Sequence, residues 1–466
     1  MAEAALLDAP AGARIRPTAP FPHTKTLGTI QVLVEMGKNT VAAFGAPAYE
    51  ERYIHSANWL KEFLLISDPE GIKHVLLDNA ANYEKAEQFR RILGPAIGNG
   101  LVTADGASWR FQRRVAAPMF QMRHIETAAP AMAAAVADML SRWDARPQGN
   151  VIDVASEMPR LTYDIISRTM FSNDVTMRFD EMSMAFERYL ETLGKVDPLT
   201  VIMPRWFPTP GKLRARGPLR FLRREIEALI VRRRALIEDD PANVPSDLLT
   251  LLLTTKDPEG GALFGDAEVF DNVMTFIFAG HETTANALSW TFYLLATFPE
   301  WEARVAEEAT SVLSGDARAS DVSRLPVARM VLEEAMRLYP PAPIITRDSI
   351  GPDVVGGNAI GAGAAVMISP WVLHRHRTLW DDPDYFDPER FAPGNREKIH
   401  RFAYLPFGGG QRICIGMGFA MQEAIVALSM IASRYRLTLA PGHPVEALSR
   451  ITLRPMNGLK MVLTRR

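Results

Sequence analysis

Cys414 is the single cysteine in a chain of 466 residues, and it lies in the glycine-rich stretch Phe407 to Gly416, FGGGQRICIG. One cysteine can form no internal disulfide and can supply no multi-thiolate zinc or iron–sulfur site. That leaves nucleophilic, redox or single-ligand metal chemistry at this sulfur. The glycines at 408, 409, 410 and 416 permit tight turns, and a helical pattern, GFAMQEAIVALSMIASRY, begins just after the cysteine. A sulfur at a helix start faces the positive end of the macrodipole and free N–H donors, and Arg412 adds a cation, so a stabilised thiolate is expected. The plainer alternative is a small buried hydrophobe in a Gly-rich turn. A phosphate loop is set aside, because no Gly-Lys-Ser/Thr follows the glycines.

Three other constellations carry chemistry. Glu334 and Arg337 stand at i and i+3 in a helix opened by Pro326 and ended by Pro340-Pro341, so they share one face. Taken alone, such a pair is an ordinary solvated ion pair. The segment Ala279 to Thr284, AGHETT, interrupts the apolar helix VMTFIFAGHETTANALSWTFYLLA. Phe276, Gly280, Thr283 and Ala287 fall on one face there and outline a small-residue groove. A mid-helix Gly280 costs about 1 kcal/mol relative to alanine, a cost that a groove for a small ligand explains. Threonines that merely bond back to the preceding turn are the alternative. Trp109 and Arg113, at i and i+4, could present an indole N–H and a guanidinium to one anionic group.

Phe407, Gly410, Arg412, Cys414 and Gly416 fit FxxGxRxCxG, and the chain thereby resembles the cytochrome P-450 superfamily. The other motifs follow in that family's order, from about Tyr49 to the C-terminus. The resemblance implies a mainly α fold with small peripheral β-sheets (α+β), with haem b (iron protoporphyrin IX) between a long distal helix and a proximal cysteine loop. Cys414 would be the axial ligand of the haem iron, the ligation that favours O–O cleavage. Phe407, Gly408 and Gly416 would surround it. Glu334, Arg337 and Arg390 of PERF would form a buried cluster fixing the loop. Ala279 and Gly280 would border the oxygen site, with Glu282 and Thr283 as its acid–alcohol pair. Trp109, Arg113, Arg412, Arg347 and Lys85 would meet the haem carboxylates.

The same resemblance implies a monooxygenase that puts one atom of O2 into a small apolar or amphipathic organic substrate. Its electrons would come from a separate ferredoxin-type donor and its reductase. Substrate contacts would come from Phe89 to Leu101, Met203 to Trp206, Phe276, Ala279, Ile344, Ile345 and Met456. Arg110, Arg113, Arg114, Arg123, Arg396, Lys398 and Arg401 would flank the cysteine side as a docking patch for the donor. Two alternatives stay open: a haem-thiolate sensor or binding protein, and a peroxide-driven or isomerase-type member.

Length alone suggests two or three domains. Strands drawn from distant parts of the chain argue instead for one domain over 1–466, with residues 1–40 as an arm carrying no membrane anchor. Nearly half the residues are hydrophobic and the net charge is −2, which gives no bias toward nucleic acid. No stretch reaches the roughly 18 apolar residues of a membrane span, so the expectation is a cytoplasmic protein acting as a monomer without integral membrane association. Strands are expected over Tyr49 to Ile66, from Ile344 to Leu373, and near the C-terminus, where Asn457-Gly458 signals a hairpin. Ser67 or Asp68 should cap a helix, and Asp105 or Ser108 another. The arginine-dense Arg214 to Arg234 reads as a solvated helix face.

Overall fold

The computed structural model describes residues 15–24, 27–57, 62–175, 179–193, 210–256, 261, 263–313 and 319–466. Helices in chain order are α1 (Thr29–Lys38), α2 (Pro69–Lys73), α3 (Glu87–Ile97), α4 (Gly106–Ala116), α5 (Met122–Asp144), α6 (Val154–Met170) and α7 (Phe179–Leu193). They continue as α8 (Pro210–Asp239), α9 (Leu248–Thr254), α10 (Asp266–Thr297), α11 (Pro299–Leu313), α12 (Pro326–Leu338) and α13 (Met417–Arg434). The strands are β1 (Tyr53–Ala57), β2 (Glu62–Ile66), β3 (Tyr83–Lys85), β4 (Val151–Asp153), β5 (Ile345–Ser349), β6 (Asp353–Val355), β7 (Asn358–Ile360), β8 (Ala365–Ile368), β9 (Tyr435–Leu439), β10 (Ala447–Ser449), β11 (Leu453–Pro455) and β12 (Lys460–Arg465).

The sheets draw strands from distant sequence, in the orders β1-β2-β8-β5-β3 and β4-β12-β9, with β10-β11 and β6-β7 as small pairs. Asp68 caps α2 by accepting from the Gly71 N–H at 3.0 Å. The expected hairpin at Asn457-Gly458 does not form: β11 pairs with β10, whereas β12 pairs with β4 and β9. Gly458 has φ +73°, and a Cβ there would lie 2.4 Å from Asp153 Oδ2. The turn signal is therefore real, but it passes the chain from one sheet to another. The strand region expected to reach Leu373 ends at Ile368, after which Pro370–Leu373 form one helical turn.

Helix α10 is the central element, apolar around most of its circumference and buried accordingly. The Glu268 carboxylate accepts from the Gly265 N–H at 3.0 Å, and Asp266 and Glu268 place negative charge in the first turn. The helix crosses α6 closely. A Cβ on Gly280 would meet Ile166 Cδ1 at 2.6 Å, and Thr162 Oγ1 donates to the His281 carbonyl at 2.8 Å. Gly280 thus serves a helix crossing and does not face a ligand groove.

His281 is buried at the same crossing, with Nδ1 2.7 Å from the Ile277 carbonyl and edge-on contacts to Tyr163 and Phe186. Since a carbonyl only accepts, Nδ1 carries the proton. Burial lowers the imidazole pKa to about 4, against the opposing pull of the Ile277 carbonyl. A depressed histidine pKa means stability that is complete above the unfolded value of about 6.5 and lost as pH falls toward 4. His281→Asn is therefore expected to flatten the fall of urea-unfolding free energy below pH 6.5 by about 1.4 kcal/mol per pH unit relative to wild type. Parallel pH profiles of the two proteins would show that this imidazole contributes nothing.

Candidate active site

A cavity of about 320 Å³ lies between α10 and the Cys414 loop. Ala279, Thr283, Thr284 and Ala287 form one wall, and Phe407, Gly408, Gly409 and Cys414 form the other. Phe89, Leu93 and Ile97 of α3, with Ile344 and Ile345, make its apolar sides. Such size and lining suit a largely apolar ligand.

At one edge the cavity is strongly basic. Lys85 and Arg347 are direct cross-strand partners in the β3–β5 register, and Arg412 lines the same edge. Like charges facing each other across a sheet repel. Burial and then the neighbouring guanidiniums hold Lys85 well below the usual ammonium range, and burial and Arg412 lower Arg347 to about 10. Asp105 answers Arg412 and Arg90, but no carboxylate pairs with Lys85 or Arg347 among the described residues. The Arg412 guanidinium also donates to the Ala104 carbonyl at 2.8 Å and lies 4.4 Å from the Trp109 ring centroid.

The sulfur of Cys414 presents accessible surface although protein encloses it, because that surface is turned into the cavity. Burial pushes its thiol above the usual range, outweighing the Gly416 N–H and the Arg113 charge, which pull it down. α13 begins only at Met417, and Arg412 is committed to Asp105. Arg113 donates to the Ile413 carbonyl at 2.6 Å, and the Cys414 N–H returns to the Phe407 carbonyl at 2.9 Å, closing the loop on itself. Gly410 is required: with φ +66°, any Cβ would fall 1.9 Å from the Leu76 carbonyl oxygen.

The loop is mounted on a buried ion pair. Arg337 Nε and Nη2 donate to Glu334 at 2.6 and 2.8 Å, and both residues are inaccessible. Arg390 Nε approaches Glu334 at 3.6 Å. The remaining Arg337 donors reach the carbonyls of His374, Pro383 and Tyr385 at 2.7, 2.7 and 2.9 Å. His374 then bridges to the loop. Its Nε2 accepts from the Leu405 N–H at 2.8 Å, so its Nδ1 is the donor facing the Arg337 carbonyl at 3.2 Å.

Several expectations require correction. Phe276 does not line the cavity; it stacks on Phe120 with centroids 5.6 Å apart. Phe276 and Gly280 share a helix face with Thr283, but Phe120 covers the first and Ile166 the second. Met456 is exposed, and Ile451 and Thr452 line the wall in its place. Trp109 lies against Arg412, and Arg113 is held on the Cys414 loop. Asp105 precedes α4, but its carboxylate caps nothing and serves Lys85 N, Arg90 and Arg412. Thr283 Oγ1 donates back to the Ala279 carbonyl at 2.9 Å. Arg233 departs from the solvated-face reading of its helix, being buried against Asp174 and Asp247. The Met203 to Trp206 segment lies outside the described residues. His374, Asp105 and Thr452 were not legible as site residues, since none belongs to a spaced motif.

Residues 53–459 match the family model for cytochrome P450. The chain belongs to the cytochrome P450 family. It is 36% identical over 389 residues to the cyclooctatin synthase of Streptomyces melanosporofaciens, covering 83% of each chain. It is 35% identical over 402 residues to the pentalenene oxygenase of Streptomyces avermitilis, covering 85% of this chain and 87% of that one. The crystal structure of a cytochrome P450 (CYP102L1) superposes with a TM-score of 0.82 at 26% identity, over 97% of this chain and 100% of that chain. As a P450 it is a haem b monooxygenase of the thiolate class. The residues present fit that group. A lone sulfur faces an apolar slot, and cations in excess of carboxylates stand at one edge, where the acidic side chains of haem need partners.

Proposed function

We propose that this P450 hydroxylates C–H bonds of a compact apolar substrate, using dioxygen and two electrons from a separate ferredoxin-type protein. The observation that carries the reading is the placement of the Cys414 sulfur and the Glu282–Thr283 pair on opposite walls of one apolar cavity. Haem bound there supplies reductive activation of dioxygen and insertion of one oxygen atom into the substrate. The C–H bond becomes C–O–H, and the other oxygen atom leaves as water after taking up two protons and two electrons.

The chain's own residues do the rest. Cys414 would ligate the iron, and the Gly416 N–H and Arg113 would temper the charge on its sulfur. Lys85, Arg347 and Arg412 would bind the haem carboxylates, with Trp109 backing Arg412. Phe407 and the α10 wall would exclude water. Glu282, whose Oε1 accepts from Thr452 at 2.6 Å, would carry protons inward from the cavity rim, and Thr283 would pass them on after releasing the Ala279 carbonyl. Phe89, Leu93, Ile97, Ala279, Ile344 and Ile345 would enclose the substrate, and their apolar character favours a hydrocarbon-like molecule. One relative is named as an oxygenase of pentalenene, which supports that class.

Of the basic patch, Arg110, Arg123, Lys398 and Arg401 are exposed and could steer an acidic donor, Lys398 while donating to Asn395 Oδ1 at 3.0 Å. Arg113 and Arg396 are engaged, the latter 3.5 Å from Glu333. The continuity of the main core from Val41 to Leu463 supports reading the chain as one unit around the cavity.

Turnover under heavy-isotope-labelled dioxygen, with surrogate ferredoxin and reductase and a panel of cyclic hydrocarbons, is expected to give alcohols carrying one labelled atom. Products labelled from water, or formed only with added peroxide, would contradict the reading. Lys85→Met should stabilise the apoprotein in urea unfolding, since it removes an amine whose charged form burial, Arg347 and Arg412 all disfavour. The same variant should release haem at least roughly tenfold faster, measured by transfer to apomyoglobin.

A further inference from the structure

Thr452 lies in the turn between β10 and β11, is almost fully buried, lines the cavity, and donates to Glu282 Oε1 at 2.6 Å. Glu282 and Thr452 are 170 positions apart, so the contact joins the central helix to the C-terminal turn. The turn does not depend on this bond for its own position. The Leu453 carbonyl accepts from Trp290 Nε1 at 3.1 Å, and the Leu453 N–H donates to the Pro341 carbonyl at 3.0 Å. Asn39 brackets the strand before it, donating to the Ala447 carbonyl at 2.7 Å and accepting from the Ser449 N–H at 2.9 Å. Thr40 Oγ1 and Ser449 Oγ add a further contact at 2.5 Å.

The turn is therefore a fixed mount, and the movable partner is the Glu282 side chain, which has three rotatable bonds between the α10 backbone and its carboxyl group. A hydroxyl held on a rigid mount selects one carboxyl position out of several. Thr283, the neighbouring group on α10, cannot do this, because its own hydroxyl is turned back to the Ala279 carbonyl.

We propose that Thr452 is a positioning residue, which holds the Glu282 carboxyl group at the cavity wall in the place from which it delivers protons. The proposal rests on the monooxygenase reading of the same site, and it assigns a role to a turn that carries no recognisable motif. Losing the bond lowers the preference for that position by roughly tenfold. Thr452→Val keeps the side-chain shape and removes the donor, and Thr452→Ser restores the donor.

The test is the carboxyl region of the infrared spectrum of the ferric holoenzyme, in which the band abolished by Glu282→Gln reports this side chain. Thr452→Val is expected to move that band. It should also raise the hydrogen peroxide formed per NAD(P)H consumed, with surrogate ferredoxin and reductase, by roughly threefold or more. Thr452→Ser is expected to match wild type in both. If the valine variant proves less stable by thermal unfolding, Thr452→Ala must move the band in the same way. An unmoved band in a folded variant lacking the hydroxyl, or a serine variant that behaves like valine, overturns the proposal. Wild-type enzyme without a thiolate-ligated haem would instead overturn the reading beneath it.

Discussion

The buried Glu334–Arg337 pair is the interaction on which the rest of the site depends. Both side chains are inaccessible, and Arg337 uses its donors on one carboxylate and three carbonyls. A buried ion pair adds little net stability over an apolar replacement, yet removing one partner is costly, because the other charge is left without compensation. What the pair contributes is geometry. It fixes the backbone at His374, Pro383 and Tyr385, and His374 transmits that position to Leu405, at the entry to the cysteine loop. The Cys414 sulfur consequently faces the cavity without any contact of its own to the ion pair.

A second constraint is the charge imbalance at the cavity edge. Lys85, Arg347 and Arg412 are partly or wholly desolvated, and Asp105 is shared between Arg412 and Arg90. Such an arrangement weakens the protein by itself and becomes favourable only when an anion binds. The site thereby trades folding stability for selective capture of an acidic cofactor. The apolar slot and the lone sulfur complete that selection.

Much of this was legible in the sequence, because the motifs encode contacts that act over short distances or in fixed order. Cys414, Gly410, Glu334 and Arg337 could be placed once their spacing was matched to the cytochrome P-450 motifs, and the mixture of helices with small sheets followed from periodicity and turn chemistry. The errors share a different physical origin. Gly280 and Phe276 were assigned to the cavity from helical spacing, which gives relative angles on α10 but not which positions Ile166 and Phe120 cover. Asn457-Gly458 was correctly read as a turn, but strand partners are chosen by tertiary pairing. Thr452, Asp105 and His374 act through partners 170, 307 and 31 positions away, respectively, so no local pattern marks them.

One sulfur, Cys414, lies at the cavity floor, where it would ligate haem iron. The most direct measurement is the absorption spectrum of the reduced carbon monoxide complex. The wild-type holoenzyme should show the strongly red-shifted Soret band of thiolate ligation, and Cys414→Ser should lose that shift while the fold persists by circular dichroism. A wild-type band without the red shift, or one that Cys414→Ser leaves unchanged, would contradict the claim.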